Sequence, residues 1–159
     1  MEMRVLEFLH DLFIREEYPV DDYEGGNYLT LGLGLAGFMR TVRIDFKGGQ
    51  RIHLLIYLQT LDSIGKRELR RLRLALDSTA LDEGFAGDLY TKDGALWWKL
   101  ETCLSTDAES AEEVITLLIQ DTQEDFFRLD VIRGLSSMGK SPRTIRKAVA
   151  VLGMVEGFA

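Results

Sequence analysis

Between residues 28 and 58 one pattern recurs three times, and it limits the fold more than any other feature of the chain. The run Tyr28 to Leu35 is apolar and β-prone. Phe38 to Phe46 alternates Val42, Ile44 and Phe46 with Thr41, Arg43 and Asp45, and Arg51 to Leu58 places Ile52, Leu54, Ile56 and Leu58 on one face. A period of two belongs to strands, because only in a strand do alternate side chains share a side. Gly48 and Gly49 punctuate the chain between the last two runs. Three consecutive strands predict an antiparallel meander.

The flanking segments change to a helical period. From Glu2 to Glu17, Val5, Leu9, Leu12 and Phe13 fall at i, i+4, i+7 and i+8, one stripe of an amphipathic helix, and Pro19 follows its end. Asp21, Asp22, Gly25, Gly26 and Asn27 then read as a turn-rich stretch. After the meander, Asp62 or Ser63 is placed to cap a helix over 64 to 80 carrying Leu69, Leu72 and Leu76, with Gly65 weakening its first turn. Asp93-Gly94 predicts a two-residue hairpin turn, since both central positions of a type I′ turn need positive φ. On its return strand Leu96, Trp98, Leu100 and Leu104 alternate with Trp97, Lys99, Glu101 and Cys103. Ser110 and Glu113 have capping-box spacing ahead of an uninterrupted helical pattern over 111 to 133. A loop from Gly134 to Lys140 follows, then Ser141 as cap and Pro142 at the first position of a short basic helix that Gly153 should end.

The expected class is therefore α+β, in the order αβββαββα plus a short C-terminal helix. Its antiparallel sheet is packed with helices, with one domain over 1–133 and a basic helical extension over 134–159. A length of 159 residues suits a single domain that buries its own core. Cys103 is the only cysteine, no apolar run reaches membrane-spanning length, and Glu2, Glu7 and Asp11 stand where a signal peptide would be positive. These features predict a cytoplasmic protein without disulfides and without a membrane partner.

That order resembles the type III secretion chaperone-like fold, which includes secretion chaperones and the YbjN-type proteins. The resemblance covers roughly residues 1 to 133. It is carried by the first helix, the meander, the Leu-rich helix, the hairpin with Ala95-Leu96-Trp97-Trp98 on its return strand, and the helix capped by Ser110. It implies a non-catalytic homodimer that binds a segment of another protein and masks apolar surface. The basic extension after Gly134 departs from the minimal pattern.

Two motif matches point elsewhere. Gly32, Gly34 and Gly37 spell G-x-G-x-x-G, but the residues after them, Met39 to Phe46, alternate as a strand where a dinucleotide fold needs a helix, so a hairpin bend or bulge is the expected use. Gly134, Gly139, Lys140 and Ser141 satisfy G-x-x-x-x-G-K-S, in which amides and the lysine would cradle phosphate and the serine would reach magnesium. Against this, the preceding segment reads as helix and only a short tail follows. The expectation is a loop in which Gly134 ends one helix and Ser141-Pro142 starts another, with phosphate or nucleotide binding as the alternative. His10 and His53 lack ligand spacing, Cys103 reads as a small buried residue, and Asp21-Asp22 and Glu16-Glu17 read as solvated charge, so no catalytic residue, metal or cofactor is expected.

Charge and aromatic placement refine the partner class. Net charge is −7, yet the segment from Arg128 onward carries +4 and leaves −11 before it. An acidic body makes nucleic acid unlikely as the main ligand, although basic helices leave a nucleic-acid adaptor as a third reading. Lys66, Arg67, Arg70, Arg71 and Arg73, against Glu68, form either a salt-bridged, solvated helix face or a site for an acidic partner. Trp97 and Trp98 must point to opposite faces of their strand, so one meets covering helices or the tail, or an interface. Phe126 and Phe127 widen the apolar stripe of the long helix. These four aromatics are the candidate dimer or partner contacts, and the expected function is a homodimeric protein-binding module, chaperone-like or regulatory.

Overall fold

The computed structural model describes residues 4–18, 20–23, 28–104 and 110–156. The meander is present as β2 (Tyr28–Leu35), β3 (Phe38–Gly48) and β4 (Arg51–Thr60). It is extended on one side by β1 (Val20–Tyr23) and on the other by the hairpin of β5 (Asp88–Lys92) and β6 (Ala95–Cys103). The resulting antiparallel sheet of six strands among the described residues has the order β1-β2-β3-β4-β6-β5. The helices are α1 (Arg4–Arg15), α2 (Lys66–Ala80), α3 (Ala111–Ser137) and α4 (Pro142–Glu156). The class is α+β, as the patterning predicts.

β1 is the strand the pattern does not announce. Four residues containing Asp21 and Asp22 offer no alternation to detect, and the strand exists because its backbone pairs with Leu29 to Leu31 across a bulge. Pro19 and the expected turn residues Gly25, Gly26 and Asn27 lie outside the described residues. The other connections follow turn chemistry. Ala36 and Gly37 join β2 to β3 with φ of 50° and 84°, and Asp93 and Gly94 join β5 to β6 with 52° and 73°, both pairs in the region that type I′ turns require.

The four helices share one core on one face of the sheet, with α4 packed on α2 and α3. Leu31, Ile44, Leu54 and Trp98 from the strands share a core with Leu9 and Phe13 of α1, Leu72 and Leu76 of α2, Phe126 and Ile132 of α3, and Ile145 and Val149 of α4. The opposite face carries a small separate cluster of Leu55, Ala95 and Trp97, and no helix contributes to it among the described residues.

Helix ends show local sequence at work. α1 stops in a Schellman motif: Glu17 adopts φ 63°, Tyr18 N–H donates to the Phe13 carbonyl at 2.8 Å, and the two rings meet edge to face at 5.8 Å. Ser63 caps no α-helix. It closes a short 3₁₀ turn, Leu61–Ser63, by donating to the Thr60 carbonyl at 2.6 Å, and α2 begins after Gly65 without a side-chain cap. Ser110 does cap α3, accepting from Glu113 N–H at 3.1 Å.

The largest departure is at the end of α3. The loop expected from Gly134 is helix as far as Ser137, so the boundary at 133 falls inside one continuous element. Glycine in a helix interior costs only about 1 kcal/mol relative to alanine, less than the packing of Ile132 and Ser136 around it returns. α4 likewise runs through Gly153 to Glu156. The C-terminal segment belongs to the main fold, because Ile145 and Val149 enter the common core and Arg146 forks onto both oxygens of Asp82 at 2.7 and 2.6 Å. No helix among the described residues is long and apolar enough to cross a membrane.

If α4 is integral, Ile145→Ala should cost about 2–4 kcal/mol in urea unfolding while keeping one cooperative transition. An early, separate loss of helicity would show instead that α4 is an appendage. The hydrogen bonds from Arg146 hold the Asp82 carboxyl below the usual carboxylate range. The link is thus present at neutral pH and lost as pH falls through Asp82's folded pKa. Carboxyl NMR titration should show that lowered midpoint, and Arg146→Ala should return it to the ordinary range.

Candidate functional site

The two glycine motifs resolve into ordinary backbone geometry. Gly32 and Gly34 lie within β2, where Met39 from β3 crosses them with its Sδ 3.9 Å from the place a Gly34 Cβ would take. Gly37 is the second turn residue. No helix N-terminus follows, so nothing there approaches a pyrophosphate. At the second motif Gly139, not Gly134, takes the left-handed conformation, with φ 78°. Its N–H donates to the Ser136 carbonyl at 3.0 Å, and the Lys140 N–H donates to Leu135 at 3.1 Å. These are the two bonds of a Schellman motif. Ser141 then caps α4 by accepting from Thr144 N–H at 3.2 Å. A phosphate cradle needs those amides turned outward after a strand; here they close a helix.

The remaining polar candidates are held by neighbours. His53 Nε2 and Arg51 Nη2 both reach the same Glu101 oxygen, at 3.3 and 2.7 Å, which keeps that carboxyl below its usual range through the Arg51 hydrogen bond first and His53 second. His10 lies beside Asp11 at 3.3 Å. Cys103 is free and exposed rather than buried. It ends β6, beyond Lys99, the last residue that β5 pairs with. Glu17 shapes the α1 terminus, and the side chains of Asp21 and Asp22 lie outside the described set. Among the described residues no group of three His, Cys, Asp or Glu side chains could hold a metal ion.

The four aromatic candidates separate completely. Trp98 and Phe126 are 1% and 0% exposed in the main core, so they offer no surface to a partner. Trp97, on the opposite face, is 8% exposed, and no helix among the described residues packs on it. Its indole donates to the Lys92 carbonyl at 3.0 Å and packs edge to face on Tyr57 at 5.7 Å. Beside it Asp45 accepts from Arg43 at 2.6 Å and Lys92 at 3.0 Å, while Arg43 and Lys99 lie over the rings of Tyr28 and Tyr90. Long charged side chains thus roof this face. Phe127 alone of the four is substantially open, at 47%.

Phe127 belongs to a longer feature that sequence reading did not isolate. Leu117, Gln120, Glu124, Phe127, Val131, Gly134 and Met138 recur at intervals of three and four along the outer side of α3. Leu117 and Met138 are among the exposed large apolar residues of the protein. The apolar residues of α3 therefore point both into the core and away from it, which hides this stripe from a periodicity argument.

A second feature is a cleft of about 600 Å³ between α2 and the edge strand β5. Leu76 and Ala80 form the helical wall, Leu89 and Trp98 the sheet wall, and Arg73, Asp77 and Lys99 stand at its rim. β5 ends the sheet order, so one of its two backbone edges is unpaired. The pairing of Lys92 with Ala95 across the two-residue turn directs the N–H and C=O groups of Leu89 and Thr91 toward that free edge. The cleft's mouth is fixed by a buried carboxylate. Asp125 of α3 accepts from Ala86 N–H at 3.1 Å, Gly87 N–H at 2.9 Å and the Trp98 indole at 3.0 Å. Arg128 lies 3.3 Å from the same carboxylate and donates to the carbonyls of Glu83 and Gly84, both at 3.0 Å, with its guanidinium over the Phe85 ring. Asp125 and Arg128 have i, i+3 spacing on an apolar helix, the only sequence hint of the pair. Gly87 is required there, because a Cβ would collide with the Trp98 indole Nε1.

The expected salt bridging of the basic face of α2 is not observed. Lys66, Arg67, Arg70, Arg71 and Arg73 are all exposed, and none forms an ion pair among the described residues. Comparison with known proteins adds no relative: no family model, no curated protein and no solved structure matches the chain.

Asp125→Asn should destabilise the fold by about 3 kcal/mol, since it leaves Arg128 buried without its counter-charge and replaces one acceptor oxygen by an NH2 that faces either Ala86 N–H and Arg128 or Gly87 N–H and the Trp98 indole. Denaturant unfolding followed by tryptophan fluorescence measures this. A change within about 0.5 kcal/mol would mean that the loop over 81–87 does not depend on the carboxylate.

Proposed function

We propose that the protein is a non-catalytic, homodimeric protein-binding module, chaperone-like or regulatory, that holds a segment of another protein. The observation that carries this reading is the outer stripe of α3. The core covers one side of α3, and exposed large apolar side chains on its other side favour a covering partner. A second copy, presenting the same stripe, completes the burial around Phe127 by an isologous contact. α3 is 27 residues long, about 40 Å, enough to support such a contact along its length. The partner segment is best accommodated in the cleft beside β5, where Leu89 and Thr91 offer backbone groups to an added strand and the side chains of Ala80 and Leu89 line an apolar wall. The element order supports the secretion chaperone-like, YbjN-type resemblance as part of this same proposal.

Light scattering on a sizing column should give a mass of about twice 18.0 kDa, and Phe127→Lys should reduce it to 18.0 kDa with unchanged circular dichroism. Addition of ATP or GTP with magnesium should leave the melting temperature unmoved. A wild-type monomer whose melting temperature rises with nucleotide would overturn the proposal in favour of phosphate binding at Gly134 to Ser141.

A further inference from the structure

The fold brings together two basic stretches that lie far apart in the chain. α2 and α4 pack side by side and run in the same direction: the Arg71 Nη1 lies 3.6 Å from where a Gly139 Cβ would be, and Asp82 beyond the end of α2 meets Arg146 in the second turn of α4. The first turns of α4 therefore lie beside α2 from Arg71 onward. Lys140, Arg143 and Lys147 are exposed like the five cations of α2, and none of the three forms an ion pair among the described residues.

Leaving these cations unpaired is unfavourable in two ways. Positive side chains in the first turns of a helix oppose its macrodipole, and here two helices bear them at the same end. Carboxylates are also abundant, since the net charge is −7. Elsewhere Arg40, Arg43, Arg51, Arg128 and Arg146 each hold one. The cations of this surface repel one another and form no ion pair among the described residues.

Apolar residues stand among them. Leu74 is exposed at i+4 from Arg70 and i+3 from Arg71, Val151 is exposed at i+4 from Lys147, and Met138 is exposed at the turn before Lys140. A phosphate backbone has no use for such side chains, and the acidic remainder of the surface repels a long polyanion.

Resting on the protein-binding reading, we infer that the joined outer faces of α2 and α4 dock an acidic, amphipathic segment of the partner protein. Its carboxylates pair with the exposed cations, and its apolar residues cover Leu74 and Val151.

The test uses the full chain and fluorescence anisotropy with three labelled probes: a peptide of repeating Glu-Glu-Leu-Leu, its Lys-Lys-Leu-Leu counterpart, and a short mixed-sequence duplex DNA. The acidic peptide should bind, and added salt should weaken it. Arg71→Glu with Lys140→Glu and Arg143→Glu, all at exposed positions, should lower its affinity by about ten-fold or more. Leu74→Ser should lower it by about three-fold or more and leave the salt dependence unchanged. Equal binding of the basic peptide, indifference to the charge reversals, or no binding overturns the inference. DNA binding tighter than the acidic peptide and equally lost on charge reversal would replace it with a nucleic-acid surface. Light scattering on the same samples keeps the two proposals apart: failure of the peptide on an intact dimer removes this inference alone, and peptide binding to a monomer removes the dimer alone.

Discussion

A buried carboxylate ties the helical layer to the sheet. Asp125 takes three hydrogen bonds from the loop before β5 and from Trp98, and Arg128 beside it closes that loop's carbonyls. A charge removed from water is costly unless all its acceptor capacity is used, so the loop has one favourable position and the carboxylate enforces it. Much else follows from that position. It sets where α2 ends, where β5 begins, and how far apart they stand, and it therefore shapes the cleft between them. Because α4 packs on α2 and is pinned to Asp82 just upstream of the same loop, the alignment of the two basic helices descends from it as well.

The two sides of the sheet satisfy burial by different means. On one side apolar strand residues meet four helices in a conventional core. On the other, Leu55 and Trp97 are nearly as buried with no helix over them among the described residues, because Tyr57 and Tyr90 pack against them while Arg43 and Lys99 lie over neighbouring tyrosine rings and Lys92 reaches Asp45. Trp98 is anchored by a carboxylate and Trp97 by a backbone carbonyl, so each indole N–H is satisfied on its own side. The face looks unfinished only when its long side chains are ignored. This moves the search for a partner surface away from Trp97 and toward α3, α2 and α4, where apolar groups remain exposed.

Legibility in the sequence followed the range of the forces involved. The meander, the Asp93-Gly94 hairpin and the Ser110 cap depend on neighbours within a few residues, and local patterns reveal them. Gly134 misleads because glycine stops a helix only where a left-handed residue is needed, and that need arises at Gly139, which one more turn of packing decides. β1 escapes because its existence is a property of β2's edge rather than of its own residues. Asp125 escapes because nothing in its neighbourhood distinguishes a buried acid from an exposed one until Ala86, Gly87 and Trp98 converge on it. The candidate surface was half legible. Both basic stretches are visible in the sequence, and their adjacency is a tertiary fact.

The G-x-x-x-x-G-K-S match shows why a correct pattern can carry the wrong chemistry. A phosphate loop and a helix–turn–helix junction share two demands, a glycine at positive φ and a hydroxyl at a helix start, so the same letters satisfy both. The difference lies in the direction of the amides. Here those of Gly139 and Lys140 are turned back onto α3 carbonyls, and Ser141 is committed to Thr144. What survives of the motif is its charge: Lys140 and Arg143 are exposed at the start of α4, where Arg71 of α2 reaches Gly139, without a ring of donors to grip a compact anion. Attraction without a cradle discriminates poorly between small anions, but it suits carboxylates spread along a chain, each meeting a separate cation. The local geometry that argues against a nucleotide thus leaves the field that an acidic segment would use.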